Sequence, residues 1–488
     1  MNYVQGTGKS LTIGSALVLA MMALAVAGTA IPAQAQDVYT PDSLTGGPNE
    51  PSEPAGLVAQ GQDGNLYGYS YAGGNSTACK EKGCGTIYQM STALGTPTVL
   101  YNFPTDDQCG LGLTLGTDGN FYGACTKGNG SGGKGHGYVF QFVPGTRKFN
   151  NLGSPEGTPS SRPIEATPGL FYGTTITGGN GYGTVYQITP PGPPTTIYTF
   201  TDNNPNYTYP NGPLLLGLDG NLYGTTQGSV KESRDCPPNC GAIYNISPTG
   251  GAPNFLYTFT GAPSDGATPT RGVIQGADGN FYGTTIFGGT DNLGTIFQWT
   301  PGSPPVILNN FTTTAYGIPR GLELGSDGNL YGDANDCSGC QDFGSLFEFE
   351  ISNMQFNWIV MFSGKRGEYL GASPDSTLSH TLGTLYGVTE NGGTDKDGVF
   401  YSLNINAPPF CRPQLTLGQV GSKIGILGQG FSSASQVYFG NDPNPVTPST
   451  ETGTFITVTI PAGAQTGLVT VITGSTTLQS LLPFHVQQ

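Results

Sequence analysis

The side chains able to do chemistry in this chain are few and scattered. Three histidines, His136, His380 and His485, leave little room for a nucleophile triad, and His485 stands in a terminal β-branched run that reads as structural. Carboxylates acting on a glycosidic bond must stand within about 5 to 10 Å of one another. Asp106, Asp107, Asp202, Asp336, Asp342 and Glu390 would have to converge from distant stretches, and no spacing demonstrates such a pair. Cys337-Ser-Gly-Cys340 has a zinc-like spacing but no histidine close in sequence. Asp395-Lys396-Asp397-Gly398 has two carboxylates of a calcium loop but reads first as a Gly-rich turn. Any chemistry therefore depends on what brings these residues together.

A recurring phrase supplies the answer. DGNFYGTTIFGG at 278 to 289 is echoed by DGNFYG at 118 to 123, DGNLYGTT at 219 to 226 and DGNLYG at 327 to 332. Tyr67, Tyr122, Tyr172, Tyr223, Tyr282, Tyr331 and Tyr386 mark seven copies, 55, 50, 51, 59, 49 and 55 residues apart. The copies at Tyr172 (TPGLFYG) and Tyr386 (TLGTLYG) have lost the Asp-Gly-Asn turn.

Around Tyr282 the pattern predicts four strands, at 272 to 276, 280 to 286, 293 to 299 and 305 to 311. Asp-Gly-Asn forms a tight hairpin between the first two, because glycine takes positive φ cheaply and Asp or Asn bonds its own backbone. Such a turn lacks the alternating oxygen ligands of a calcium loop. Four antiparallel strands per unit of about fifty residues predict an all-β fold, a seven-bladed β-propeller over 36 to 406. The outermost strand recurs near Tyr101, Phe149, Tyr198, Tyr257, Asn309 and Val360, six times for seven units. Val38 and Tyr39, within residues 36 to 41, match the missing strand and are expected to close the ring, hiding the exposed edges.

In a propeller blade the loops from strand two to three, and from strand four to the next blade, share one face. The Asp-Gly-Asn turns lie on the other. Disulfides are expected on the first face, between Cys79 and Cys84, Cys109 and Cys125, Cys236 and Cys240, and Cys337 and Cys340, with Cys411 left over as a free thiol or intermolecular bridge. The same loops hold aromatic and amide groups suited to stacking on a sugar: Tyr69, Tyr71, Tyr182, Asn203, Asn204, Asn206, Tyr207, Tyr209 and Phe287.

The units, DGN-(L/F)-Y-G-T-T followed by G-G and G-T-(I/V)-(Y/F), resemble the Gloeo/Verruco (GloVer) tandem repeat of secreted choice-of-anchor bacterial proteins, over residues 56 to 403. That resemblance implies an exported repeat protein and names no activity. After a Pro-rich linker at 407 to 414, residues 415 to 488 alternate β-branched residues with Gly and Ser turns, as in a small sandwich. Gly428, Gly430, Phe431, Val437, Phe439, Gly440, Pro461, Gly463, Gly467 and Val469 resemble the IPT/TIG immunoglobulin-like domain, which implies a spacer or adhesion role.

Residues 1 to 35 combine Lys9, a long apolar run and an Ala33-Gln34-Ala35 cleavage site, the pattern of a secretory signal peptide. Removing it takes away one cation, so the net charge of -15 becomes -16, which argues against nucleic acid as a partner. No second apolar stretch is long enough to span a membrane. The expectation is a monomeric, secreted or cell-surface protein without cofactor or metal, binding an extracellular glycan or surface protein. The alternative is a polysaccharide-cleaving hydrolase or lyase with its site on the cysteine-bearing face.

Overall fold

The computed structural model describes residues 38–47, 49–79, 82–128, 137–228, 239–312, 318–335, 343–374, 378–381 and 383–487. Among them the repeats fold into successive antiparallel sheets, and the architecture is all-β and propeller-like. The copy around Tyr282 forms Gly266–Gln275, Phe281–Gly288, Thr295–Trp299 and Val306–Asn310, hydrogen-bonded in chain order as its turns dictate. Its inner strand starts earlier than expected, because the pairing resumes beyond an irregularity between Pro269 and Val273.

Each of the first six copies forms such a four-stranded sheet. In the seventh, Val399–Asn404 pairs on one side with Thr384–Asn391 and on the other with Val38–Ser43, with Val38 opposite Asn404 and Ser43 opposite Val399. The register slips between the same two third-strand residues in six sheets, for example Ile87/Tyr88 and Ile296/Phe297. A bulge there adds twist where each outer strand begins to diverge from its neighbour.

The recurring motif is explained by its contacts. Asp278 accepts from the Asn280 backbone N–H at 3.1 Å, from Asn280 Nδ2 at 2.7 Å and from Tyr282 Oη at 2.7 Å. Asp63, Asp118, Asp219 and Asp327 hold the same three groups of their own copies. The tyrosine ring packs on the next sheet, with Tyr67 4.2 Å from Phe121 and Tyr122 3.9 Å from Phe171 between centroids. The following glycine makes room for a third-strand aromatic. A Cβ at Gly283 would stand 2.5 Å from Phe297 Cζ, and one at Gly173 2.3 Å from Tyr186 Oη.

The two eroded copies use other partners. Tyr172 Oη donates to the Pro248 carbonyl in the next sheet at 2.9 Å, and Tyr386 Oη to Thr92 at 3.0 Å. Glu165 replaces the lost aspartate by accepting from Gly169 N–H at 2.6 Å, and it also holds Thr117 of the preceding copy through its N–H and hydroxyl, both at 2.7 Å.

The segment expected as a linker contains a strand. Phe410–Pro413 pairs with Lys423–Leu427 and Thr476–Ser480, and so belongs to the second domain's sheets. Its position places Cys411 in that domain's core beside Ile426, Val437, Val469 and Leu478, all fully buried, rather than in an open tether. His485 begins the terminal strand His485–Gln487, paired with Leu417–Gln419, as the sequence suggests. Residues 37–488 form one compact unit. No helix among the described residues is long and apolar enough to cross a membrane.

Candidate functional site

The second domain packs on the side of the Asp-Gly-Asn turns. Gln414 Nε2 donates to the Gly116 carbonyl at 3.1 Å, Thr454 Oγ1 to the Gln62 carbonyl at 3.0 Å, and Ser326 Oγ to Pro408 at 2.6 Å. Leu417 enters the apolar cluster of Leu216, Leu222 and Ile246. Ligand access from this side is therefore reduced, and the disulfide-bearing side is left as the open loop face.

On that side Cys79–Cys84 and Cys109–Cys125 are bonded, as expected. Cys240 is also in a disulfide, while its expected partner Cys236, together with Cys337 and Cys340, lies outside the described residues. Asp336, Asp342 and His136 lie outside them too. Cys411 is a buried free thiol, which rules out a ready intermolecular bridge.

The proposed sugar-stacking residues separate into three groups. Tyr69 and Phe287 are 1 % and 7 % exposed within apolar clusters, so their rings are committed to the core and offer no face to a ligand. Both lie on strands whose buried run extends further than the turn pattern suggested. Tyr207 stacks on Phe255 at 3.6 Å and 7°, which occupies one of its faces. Asn204 caps the short 3-10 turn Pro205–Tyr207 by accepting from Asn206 N–H at 3.0 Å, and Asn206 Oδ1 accepts from Cys240 N–H at 2.8 Å.

The third group stays open. Tyr182 and Tyr209 are half-buried, with ring centroids 5.7 Å apart, and Asn203 is exposed. Tyr182 Oη donates to Asp202, whose charge also raises the phenol pKa. Tyr209 holds a left-handed backbone at φ 59°, fixed because its N–H donates to the Tyr182 carbonyl and its own carbonyl accepts from Gln227 N–H, at 2.9 and 3.0 Å. A non-glycine residue in this region costs about 1 kcal/mol or more and persists only where its surroundings hold it there.

Tyr71 marks a second feature. It lines a cavity of about 520 Å³ with Glu53, Lys82, Asp106, Gln108 and Glu390, bringing together two of the expected carboxylates and a third from the first sheet. Glu53 is ion-paired with Lys82 at 2.6 Å, and this contact raises the lysine pKa. Asp107 is not available there, because it is buried and accepts from Tyr138 Oη at 2.6 Å and Thr105 Oγ1 at 2.7 Å. Asp397 of the calcium-like fragment accepts instead from Ser52 Oγ at 2.7 Å. Among the described residues no group of three or more His, Cys, Asp or Glu could hold a metal ion.

Tyr71 also lines a cavity of about 300 Å³ among the inner strands, which the sequence reading passes over. Arg162, Arg271 and Arg320 line it from the third, fifth and sixth copies, together with Glu323. Their common placement was visible, since each stands ten or eleven residues before the tyrosine of its repeat. A further cavity of about 350 Å³ shares Arg162 and Glu323 and is bounded by the second domain, whose Arg412 bonds Glu323 at 2.9 Å.

Among solved structures, the chain is similar to an oligogalacturonate lyase in complex with manganese, 11% identical with TM-score 0.45, covering 76% of this chain and 97% of that one. It is similar also to the Pseudomonas aeruginosa periplasmic gluconolactonase PpgL, 13% identical with TM-score 0.43, covering 82% and 93%. A luciferin-regenerating enzyme is 14% identical with TM-score 0.38, covering 61% and 91%. No curated protein matches the chain. The IPT/TIG domain model matches residues 413–486. The Gloeobacter/Verrucomicrobia repeat model matches residues 53–235 and 233–411, most of the chain, and the protein belongs to that repeat family.

Proposed function

We propose that this is an exported, non-catalytic binding protein that presents the disulfide-bearing face of a seven-bladed propeller to extracellular glycans. In this reading residues 1–35 are a cleaved signal peptide, 36–406 the propeller closed by its N-terminal strand, and the IPT/TIG domain a spacer. Ring closure is supported by the cluster of Leu44, Val58, Tyr88, Tyr386 and Phe400, which joins the first and last sheets, and by the Ser52–Asp397 bond across the same junction. Export is supported by the disulfides.

The observation that carries the glycan reading is Tyr209. A partly exposed aromatic, fixed in a costly backbone conformation beside the Tyr182 ring, whose hydroxyl is paired with Asp202, is a rigid stacking platform with a polar group at its edge. A polysaccharide and glycan array, read for both retention and release of reducing or unsaturated ends, tests it. Retention without release is expected, with retention lost in Tyr209→Ala and Tyr182→Ala at unchanged melting temperature. Released ends would overturn it in favour of cleavage at Glu53, Asp106 and Glu390, and silence on both readouts would favour a structural or protein-binding role.

A further inference from the structure

The basic residues of this chain are few, 17 Lys plus Arg against 32 Asp plus Glu, yet four of its seven arginines line one pair of neighbouring cavities. Among the described residues, these two cavities, which share Arg162 and Glu323 in their walls, are lined by Arg162, Arg271, Arg320 and Arg412 against a single carboxylate, Glu323. That carboxylate already accepts from Arg412 at 2.9 Å. Hydroxyl and amide groups, Ser160, Thr270 and Asn211, complete the polar wall.

Arg162 is the informative member. It is largely enclosed by protein, it lines both cavities, and its buried Nε has no hydrogen-bond partner. Burial lowers its pKa to about 10, with Glu323 opposing the shift and Arg412 adding to it. Burying a guanidinium without satisfying its donors is costly, and a five-donor planar fork is satisfied best by an oxyanion.

We propose that the inner cavity is a binding site for a small oxyanion, the carboxylate or phosphate group of a compact polar molecule, held chiefly by Arg162 with Arg271 and Arg320. The volume of about 300 Å³ suits a molecule of roughly monosaccharide size. This site stands apart from the Tyr182–Tyr209 platform and does not depend on it.

The test is thermal shift and titration calorimetry on the full mature chain with inorganic phosphate, acetate and glucuronate, each against chloride at matched ionic strength. A saturable rise in melting temperature is expected with phosphate or with the two carboxylates, and the responding arm names the source. Arg162→Gln should weaken that binding by about tenfold or more, since a charged hydrogen bond contributes about 1.5–3 kcal/mol. It should leave the ligand-free melting temperature unchanged or raised, because it removes an enclosed charge. Arg271→Gln provides a second variant if the first fails to fold. A response no greater than that to chloride, or one unchanged in both variants, would overturn the proposal.

Discussion

Tyr282 Oη donates to the carboxylate of Asp278 at 2.7 Å, four residues earlier across the hairpin, and accepts in turn from Gln298 Nε2 at 2.8 Å. The repeat thus carries its own turn lock: aspartate organises asparagine and tyrosine, and tyrosine ties the turn to the third strand. Asp278→Ala removes four acceptor contacts, the fourth from Gln298 Nε2 at 3.3 Å, and should destabilise the protein by about 1–3 kcal/mol, read as a lower denaturant midpoint at unchanged m-value. Tyr282→Phe should cost less, since it keeps the buried ring and loses only the hydroxyl's bonds.

The recurring phrase was legible because it is local. Asp, Gly, Asn and Tyr act within one hairpin, so their spacing is the structure. Strand positions, the N-terminal strand beside Val399–Asn404 and the Cys109–Cys125 bridge could also be read, since a fixed period assigns each residue a place in its sheet. What could not be read depends on contacts between copies or domains. Tyr69 and Phe287 have loop-like surroundings in sequence, but longer strands draw them into the core. Arg162, Arg271 and Arg320 stand 109 and 49 residues apart in sequence and become one site only when their inner strands meet. The strand around Cys411 was hidden by Pro408, Pro409 and Pro413, which read as a tether although the first two precede the strand and the third ends it.

Tyr186 and Tyr244 are fully buried with hydroxyls that have no hydrogen-bond partner, at positions where other copies place Phe140, Phe297 and Phe347. Phenylalanine should therefore be tolerated. Tyr186→Phe and Tyr244→Phe are expected to leave stability unchanged or raise it by about 1 kcal/mol, because an unsatisfied buried hydroxyl costs about that much. Gly283→Ala should do the reverse. Its added methyl meets the Phe297 ring at 2.5 Å, and overpacking of this kind costs about 1–3 kcal/mol in a denaturation midpoint.

Cys411 gives a pH-dependent prediction. Burial pushes its thiol pKa up to about 12. Its contribution to stability is complete below the unfolded thiol's pKa, near 8.5, and falls as pH rises above it, because only the unfolded chain then releases the proton, at a slope of about 1.4 kcal/mol per pH unit. Subtracting the pH–stability curve of Cys411→Ala from that of the parent should isolate this slope between pH 9 and 11. The native thiol should also resist Ellman's reagent until denaturant is added.

The seam between the repeats and the second domain combines polar and apolar contacts of unequal weight. The Arg412–Glu323 pair leaves its side chains 43% and 20% exposed, so water screens it, and surface pairs contribute about 0–1 kcal/mol. Leu417, 6% exposed, is buried among Leu216, Leu222 and Ile246 of the repeats, where truncating a leucine costs about 2–5 kcal/mol. Arg412→Ala should consequently leave calorimetric unfolding as one transition with little change in midpoint. Leu417→Ala should lower the midpoint and, if this apolar contact couples the two parts, split the transition into two, with the IPT/TIG domain and the repeats unfolding separately. Equal effects from both variants would mean that the ion pair carries more of the coupling than its exposure allows.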